Sequence, residues 1–384
     1  MPLTPTLLAA IPFAIWLYLL FARGNFWQVH EDSGRAKSPK RWPRVVVIVP
    51  ARDEAETIAR SVTSLAKQDY PGESSVVVVD DHSSDGTAEL ARRAADESGA
   101  ARAVAVRPAS ELPPGWTGKM WATNEGLAAA RGQAPEYFWL TDADIEHAPD
   151  TLRRLVCLAE KDSLDLTSFM VFLPVETLPE RLLIPPFLYF FLMLYPPNWV
   201  SDPRARTAAA AGGSILARRE ALERIGGMSA VRGEVIDDCA LAAAVKKSGG
   251  KIWLGLTRAS VSLRRYSRFG EIRDLIARAA FTELQYSFFL LLASLAGLFV
   301  VYLLPWVLFF AYPGGAWLLV DTTVALMAAS FAGTVKFYGL SWLWALTLPF
   351  AVLFYAYATC VSAVRYWLGR GGQWKGRVQA PRKA

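Results

Sequence analysis

Residues 137–147, Tyr-Phe-Trp-Leu-Thr-Asp-Ala-Asp-Ile-Glu-His, end an apolar run in two aspartates two residues apart. On an extended backbone side chains alternate faces, so Asp142 and Asp144 would point the same way, with Cα atoms roughly 7 Å apart. Carboxylates at the carboxyl end of a strand in an open α/β sheet stand where such sheets bind ligands. Two of them suit a hard divalent cation, Mg2+ or Mn2+, shared with substrate phosphates; the plain alternative is an Asx turn leaving the strand. Other apolar runs also end in acids: Asp53 follows 44–50, and Asp80 and Asp81 follow 76–79. In a parallel sheet these ends share one rim. Three acidic turns there are electrostatically costly unless they hold a cation or donors such as ribose hydroxyls or a base edge. Lys119, at the start of an Ala-rich helix, is either a cationic partner for phosphate or a solvated lysine. Asp237 and Asp238 precede a predicted helix over 239–247, where the helix dipole alone would favour them.

To position these groups the chain must supply buried parallel strands. The β-branched runs 44–50 and 76–79 have the composition of strands covered on both faces. Ile58, Val62 and Leu65 make one apolar helical stripe, and polar residues 80–87 offer N-caps for a helix over 88–95. A short strand at 103–106 and the strand 137–140 complete an alternating α/β pattern. Neither G-x-G-x-x-G nor G-x-x-x-x-G-K-[ST] occurs, so a metal-clamped nucleotide diphosphate fits the rim better than a dinucleotide or ATP held at a helix N-terminus.

The remainder of the chain is too apolar for an ordinary soluble protein. Fifty-three per cent of the 384 residues are hydrophobic and 14 are Trp, unevenly placed, which predicts a membrane protein with a soluble part. The net charge of +6 gathers beside apolar segments, at Arg23, Arg35, Lys37, Lys40, Arg41 and Arg44 and again over 365–383; membrane flanks explain it better than nucleic acid. Cys157, Cys239 and Cys360 are scattered and make neither a disulfide framework nor a zinc site. The resulting division is an N-terminal transmembrane helix over 1–23, a basic linker over 24–43, an α/β domain over 44–265, an amphipathic interfacial helix over 266–287, C-terminal transmembrane helices over 288–364 and a basic tail over 365–384. Within the domain, Pro185-Pro186 and Pro196-Pro197 leave nine apolar residues between them, about 13 Å of helix. That is too short to span, so 182–200 reads as an interfacial segment, with a buried core helix as the alternative. Three C-terminal spans would put the basic tail outside, against the positive-inside tendency, so their number stays at two or three, with the middle one a candidate for re-entry.

Six motifs taken in order, Ile48-Val-Pro-Ala-Arg-Asp-Glu54, Val79-Asp-Asp-His-Ser-Ser-Asp-Gly-Thr87, Gly118-Lys119, Leu140-Thr-Asp-Ala-Asp144, Ala211-Gly-Gly-Ser214 and Ile236-Asp-Asp-Cys-Ala-Leu241, resemble those of family 2 glycosyltransferases with the GT-A fold, a Rossmann-like nucleotide-diphospho-sugar transferase architecture. Leu112-Pro-Pro-Gly-Trp-Thr-Gly-Lys119 and Ala277-Arg-Ala-Ala-Phe-Thr282 are most like the hopene-associated membrane enzymes of bacterial hopanoid clusters. The resemblance implies an enzyme of hexosyltransferase type in the cytoplasmic membrane of a bacterium, its catalytic domain facing the cytoplasm. Its expected partners are a UDP- or GDP-linked sugar donor and a membrane lipid acceptor. It further implies that Asp53, Asp80, Asp81, Lys119 and Asp142 bind the nucleotide-sugar, that Asp142 and Asp144 hold the cation, and that Asp238 is the general base. The family usually has Glu where Asp237 stands, so Asp237 remains a second candidate. Phe187, Tyr189, Phe191 and Arg278 fall on the acceptor side. Processive polymer synthases carry Q-x-x-R-W near here; Arg278-Ala-Ala-Phe281 lacks its Gln and Trp, which favours single transfer. The alternatives are a polyprenyl-phosphate sugar transferase and an inactive lipid-binding scaffold.

Overall fold

The computed structural model describes residues 3–31, 37–100, 102–311 and 318–380; Arg35 of the linker, the Pro313-Gly314-Gly315 break and the last four residues of the basic tail lie outside them. Among the described residues eight strands form one mixed sheet: β1 Val45–Ala51, β2 Ser74–Asp80, β3 Val104–Pro108, β4 Tyr137–Leu140, β5 Ile145–His147, β6 Leu166–Phe172, β7 Ile215–Arg218 and β8 Ile252–Ser262. Their order is β3-β2-β1-β4-β7-β6-β8-β5. The first four are mutually parallel, while β7 runs antiparallel between β4 and β6. β1 shows why the pattern folds this way. Val45, Val47 and Val49 face a core with Ile58, Val62 and Leu65, whereas Val46 and Ile48 face a second core with Val77, Val79 and Leu127. The helix Gly118–Ala130 lies so close to this second face that a Cβ on Gly126 would stand 2.6 Å from Ile48 Cγ2. Glycine there lets the helix seat, and the seating carries Lys119 to the rim.

Asp142 and Asp144 do not lie on an extended backbone. β4 stops at Leu140, Ala143 and Asp144 form a turn, and β5 departs to pair with β8 at the far edge of the sheet. Thr141 pins the turn: its Oγ1 donates to the Gly213 carbonyl at 2.8 Å and lies 2.9 Å from His147 Nε2. Burial pushes the His147 pKa down to about 3, so the ring stays neutral and serves as a bridge to Ser260 Oγ, 2.8 Å from Nδ1.

A further core joins Trp16 and Leu20 of the helix Leu3–Phe21, Leu183, Leu188 and Tyr189 of the helix Leu178–Leu194, and Tyr302, Phe331 and Tyr355 from the C-terminal helices. Among the described residues four helices are long and apolar enough to cross a membrane: Leu178–Ser201, Phe288–Ala311, Leu318–Phe337 and Trp342–Trp367. The N-terminal helix has a shorter described apolar stretch, Thr6–Phe21. The predicted break at Pro185-Pro186 is absent. The helix starts at a capping box, Thr177 accepting from Glu180 N–H while Glu180 accepts from Thr177 N–H, and continues through both buried prolines. Tyr355 Oη donates to the Leu183 carbonyl at 2.8 Å, the kind of outside partner that lets a helix tolerate proline. Length alone is deceptive here: β6 before this helix and β7 after it are hydrogen-bonded in one sheet, so the segment cannot cross a bilayer once.

The apolar face of the helix Phe269–Glu283 is not free for a membrane surface. Ile272, Ile276, Ala277 and Phe281 are buried, and the helix runs alongside Leu348–Trp367. Phe269 meets Phe354 in a tilted contact (6.0 Å), Ser362 Oγ donates to the Ala277 carbonyl (2.6 Å), and Phe281 meets Trp367 (5.6 Å). Both ends of this last apolar helix therefore lie near the α/β domain. Just before it, Tyr338 packs on Phe172 of β6 (5.0 Å) and Arg258 of β8 donates to the Phe337 carbonyl.

Candidate active site

The rim of the sheet gathers charges from separate stretches of the chain. Lys119 Nζ lies 2.8 Å from Asp142 Oδ1 and 3.4 Å from Asp237 Oδ2, with side-chain exposures of 20%, 33% and 20%. Thr117 caps the lysine's helix by accepting from Met120 N–H. Burial works against the Lys119 charge, but Asp142 and Asp237 outweigh it and raise its pKa. In return Lys119 outweighs the burial of Asp142 and holds that carboxyl below its ordinary range. The helix Asp237–Lys247 begins one residue earlier than Asp238 and presents both acids in its first turn. Asp238 Oδ2 accepts from Gly212 N–H and Oδ1 from Cys239 N–H, each at 2.8 Å. Burial, then the charge of Asp237, pushes the Asp238 pKa up to about 6.

Asp144 faces the same cleft with Glu54, Arg264 and Arg278. Burial, then the charges of Asp142 and Glu54, raise its pKa to about 6 against the pull of Arg264. Lys119 thus answers one carboxylate of the pair and leaves the other short of positive charge. Two carboxylates on one turn with a charge deficit fit a divalent cation whose remaining ligands are phosphate oxygens and water. Among the described residues no group of three or more His, Cys, Asp and Glu side chains is arranged to hold a metal by itself.

Asp53 and Asp81 lie on the loops after β1 and β2, and Asp80 is the last residue of β2. Asp53, at φ +49°, accepts from Ser84 N–H (2.9 Å) and Oγ (3.3 Å), tying the two loops together. Asp80 is buried; Oδ2 accepts from Ser83 N–H at 3.3 Å, and Oδ1 has no hydrogen-bond partner. Asp81 is buried with its carboxylate 3.7 Å from Arg52. Of the acceptor-side residues, Arg278 lines the cleft, and Phe187 and Phe191 are half-buried. Tyr189 is not on the cleft: it is fully buried, packs on Phe26 and Phe331, and pairs its hydroxyl with Ser330 Oγ at 2.8 Å. Replacing it would open a core, not an entrance.

Several residues join the cleft that residue type alone did not single out. Gly212 is one, since a Cβ there would stand 3.1 Å from Lys119 Nζ and 3.4 Å from Asp238 Oδ2; its signal was the Gly-Gly pair in the fifth motif. Glu54 and Arg264 are others. Just outside the cleft, Lys375 of the tail meets Glu54 at 2.8 Å.

Residues 46–226 match the model of Glycosyl transferase family 2. The chain carries a family 2 glycosyltransferase domain. This glycosyltransferase is similar in fold to the mannosyltransferase PcManGT from Pyrobaculum calidifontis, solved with GDP-Man and Mn2+, at TM-score 0.57 and 21% identity over 94% of this chain and 97% of that one. Glucosyl-3-phosphoglycerate synthase from Mycobacterium tuberculosis, solved with Mg2+ and uridine-diphosphate, aligns at TM-score 0.37 and 22% identity over 61% of this chain and 77% of that one. No curated protein matches the sequence. The mixed sheet is a GT-A-like α/β fold.

Proposed function

We propose that this glycosyltransferase moves one sugar from a nucleotide-diphospho-sugar to a lipid acceptor at a membrane surface, with inversion at the anomeric carbon. The observation that carries the reading is Asp238, a carboxylate of raised basicity beside the Lys119, Asp142 and Asp237 cluster. In this mechanism Asp238 takes the proton of the acceptor hydroxyl as its oxygen bonds to the anomeric carbon. The bond from that carbon to the diphosphate breaks, and the nucleoside diphosphate leaves with the electron pair. A positioned base of this kind is worth ~10²–10⁴-fold. Lys119 keeps Asp142 ionised and pairs with Asp237. Asp53, Asp80 and Asp81 receive the nucleoside, for which the unpartnered Asp80 Oδ1 is a ready acceptor. Asp142 and Asp144 would hold Mg2+ or Mn2+, which when bound offsets negative charge on the diphosphate; the neighbour solved in complex with GDP-Man and Mn2+ supports that choice.

The acceptor is assigned to lipid because apolar helices pack directly on the domain, and the motif resemblance points to a hopanoid or related isoprenoid. Comparing extracted lipids of a deletion strain with its parent by mass spectrometry is expected to show a glycosylated isoprenoid lost on deletion. Unchanged lipids, with a water-soluble glycoside lost instead, would overturn the lipid assignment.

The topology that fits is two full crossings, Phe288–Ala311 and Leu318–Phe337, with Trp342–Trp367 returning to the face it started from. This reading replaces the middle helix as the re-entrant one and keeps the basic tail on the domain's side, as the positive-inside tendency asks. In a Cys360→Ser background, thiols engineered at Ser98 and Arg370 should both resist a membrane-impermeant reagent in intact cells and react after permeabilisation. Labelling at Arg370 alone would mean three crossings; labelling at both would place the domain outside.

A further inference from the structure

The basic tail does not trail away as a membrane flank. Gly371–Trp374 and Arg377–Ala380 pair as an antiparallel hairpin, with Trp374 opposite Arg377. The two turn residues, Lys375 at φ +45° and Gly376 at φ +81°, both adopt positive φ, as a two-residue type I′ turn requires. Asn or Gly is the usual first residue of such a turn, and lysine in the left-handed region is strained. The Lys375 side chain shows what the position is used for. Nζ lies 2.8 Å from Glu54 Oε1 and donates to the Asp53 carbonyl at 2.8 Å, while Arg52 Nε donates to the Lys375 carbonyl at 3.4 Å. The ion pair is shielded, with Lys375 16% and Glu54 14% exposed. Glu54 lines the cleft with Asp142 and Asp144.

We propose that Lys375 is a positioning residue of the donor site: from the end of the chain it neutralises Glu54 and holds the Arg52–Glu54 loop in the shape that receives a nucleoside diphosphate. The inference rests on reading this cleft as the donor site. A free Glu54 carboxylate would add a third negative charge beside the two aspartates where an anionic diphosphate must enter, and in a shielded cleft such repulsion is poorly screened. Lys375 offsets that charge without occupying the cleft itself, and its bond to the Asp53 carbonyl steadies a residue that is itself in the left-handed region.

The test uses the full-length protein in detergent and calorimetric titration of UDP and GDP, each with Mn2+, taking the tighter nucleotide forward. Lys375→Met should weaken its binding about tenfold and raise the donor KM with little change in kcat, while Lys375→Arg stays within about threefold of the parent. Adding Glu54→Gln to Lys375→Met should restore most of the lost affinity, because the repelling charge has gone. Undiminished binding in Lys375→Met would overturn the proposal. So would a loss that Glu54→Gln does not relieve, since a hairpin that merely buttresses the fold is not rescued by removing the other half of its ion pair. If the parent chain binds neither nucleotide, the donor-site reading itself falls, an outcome distinct from both.

Discussion

Asp238→Asn is expected to lower the rate of sugar transfer by ~10²–10⁴-fold, the usual worth of a placed general base, while the variant still binds nucleotide and melts near the parent temperature. Asparagine keeps an oxygen for the Gly212 N–H and nearly the same volume, giving up only the contact with the adjacent Cys239 N–H, so the loop and helix should hold their places. The pH profile gives a second reading. A carboxylate base works only when ionised, and burial together with Asp237 puts the Asp238 pKa at about 6. The parent rate should therefore fall about tenfold per pH unit below about 6, with a plateau above. Asp237→Asn removes the neighbouring charge that helps raise that pKa, so its acid limb should move to lower pH while transfer persists. Asp237 is the weaker candidate for the base because its carboxylate is already engaged by Lys119. If Asp238→Asn keeps near-parent activity, the acceptor is an already ionised phosphate that needs no base, and a polyprenyl-phosphate becomes the better substrate class.

How much of this was legible before folding depends on which physical signal each residue leaves in the sequence. Val45 to Val49 were readable as a strand buried on both faces because their neighbours on the two sides belong to different apolar cores. The strand ends were readable for the same reason, and the acids that follow them do come to one rim. The local geometry of Asp142 and Asp144 was not, because the turn between them is imposed by β5 reaching the far edge of the sheet, a pairing between residues far apart in sequence. Pro185 and Pro186 misled in the opposite direction. Local propensity argues for a break, yet burial of both prolines in a packed helix overrides it, and the true start signal was the Thr177-Leu-Pro-Glu180 capping box. Tyr189 carried the composition of an interface and proved to be core, since a lone aromatic in an apolar run does not say which face it takes. Lys375 had no local signal beyond Lys-Gly in a basic tail; its meaning lies in a contact across 322 residues.

Asp144→Ala is the second substitution with a large expected effect, and it separates the cation's role from that of the fold. In the parent cleft Asp142 is held by Lys119, whereas Asp144 is raised to about 6 by burial, Asp142 and Glu54, so it is the carboxylate with most to gain from a divalent cation. Removing it should relieve repulsion in the empty cleft, and the variant is expected to be at least as stable as the parent in thermal unfolding without metal. Binding of UDP or GDP in the presence of Mn2+ should weaken about 10- to 100-fold, the range expected when a contact between full charges is lost, and chelating the metal should cost the variant little further affinity. Asp142→Ala should behave differently, because it also strands Lys119 beside Asp237, and a loss of stability is expected there as well as a loss of binding. Calorimetry with and without chelator, on both variants, distinguishes the two. Undiminished, metal-dependent nucleotide binding by Asp144→Ala would remove this residue from the cation site and leave Asp142 with Lys119 as a purely electrostatic pair at the phosphates.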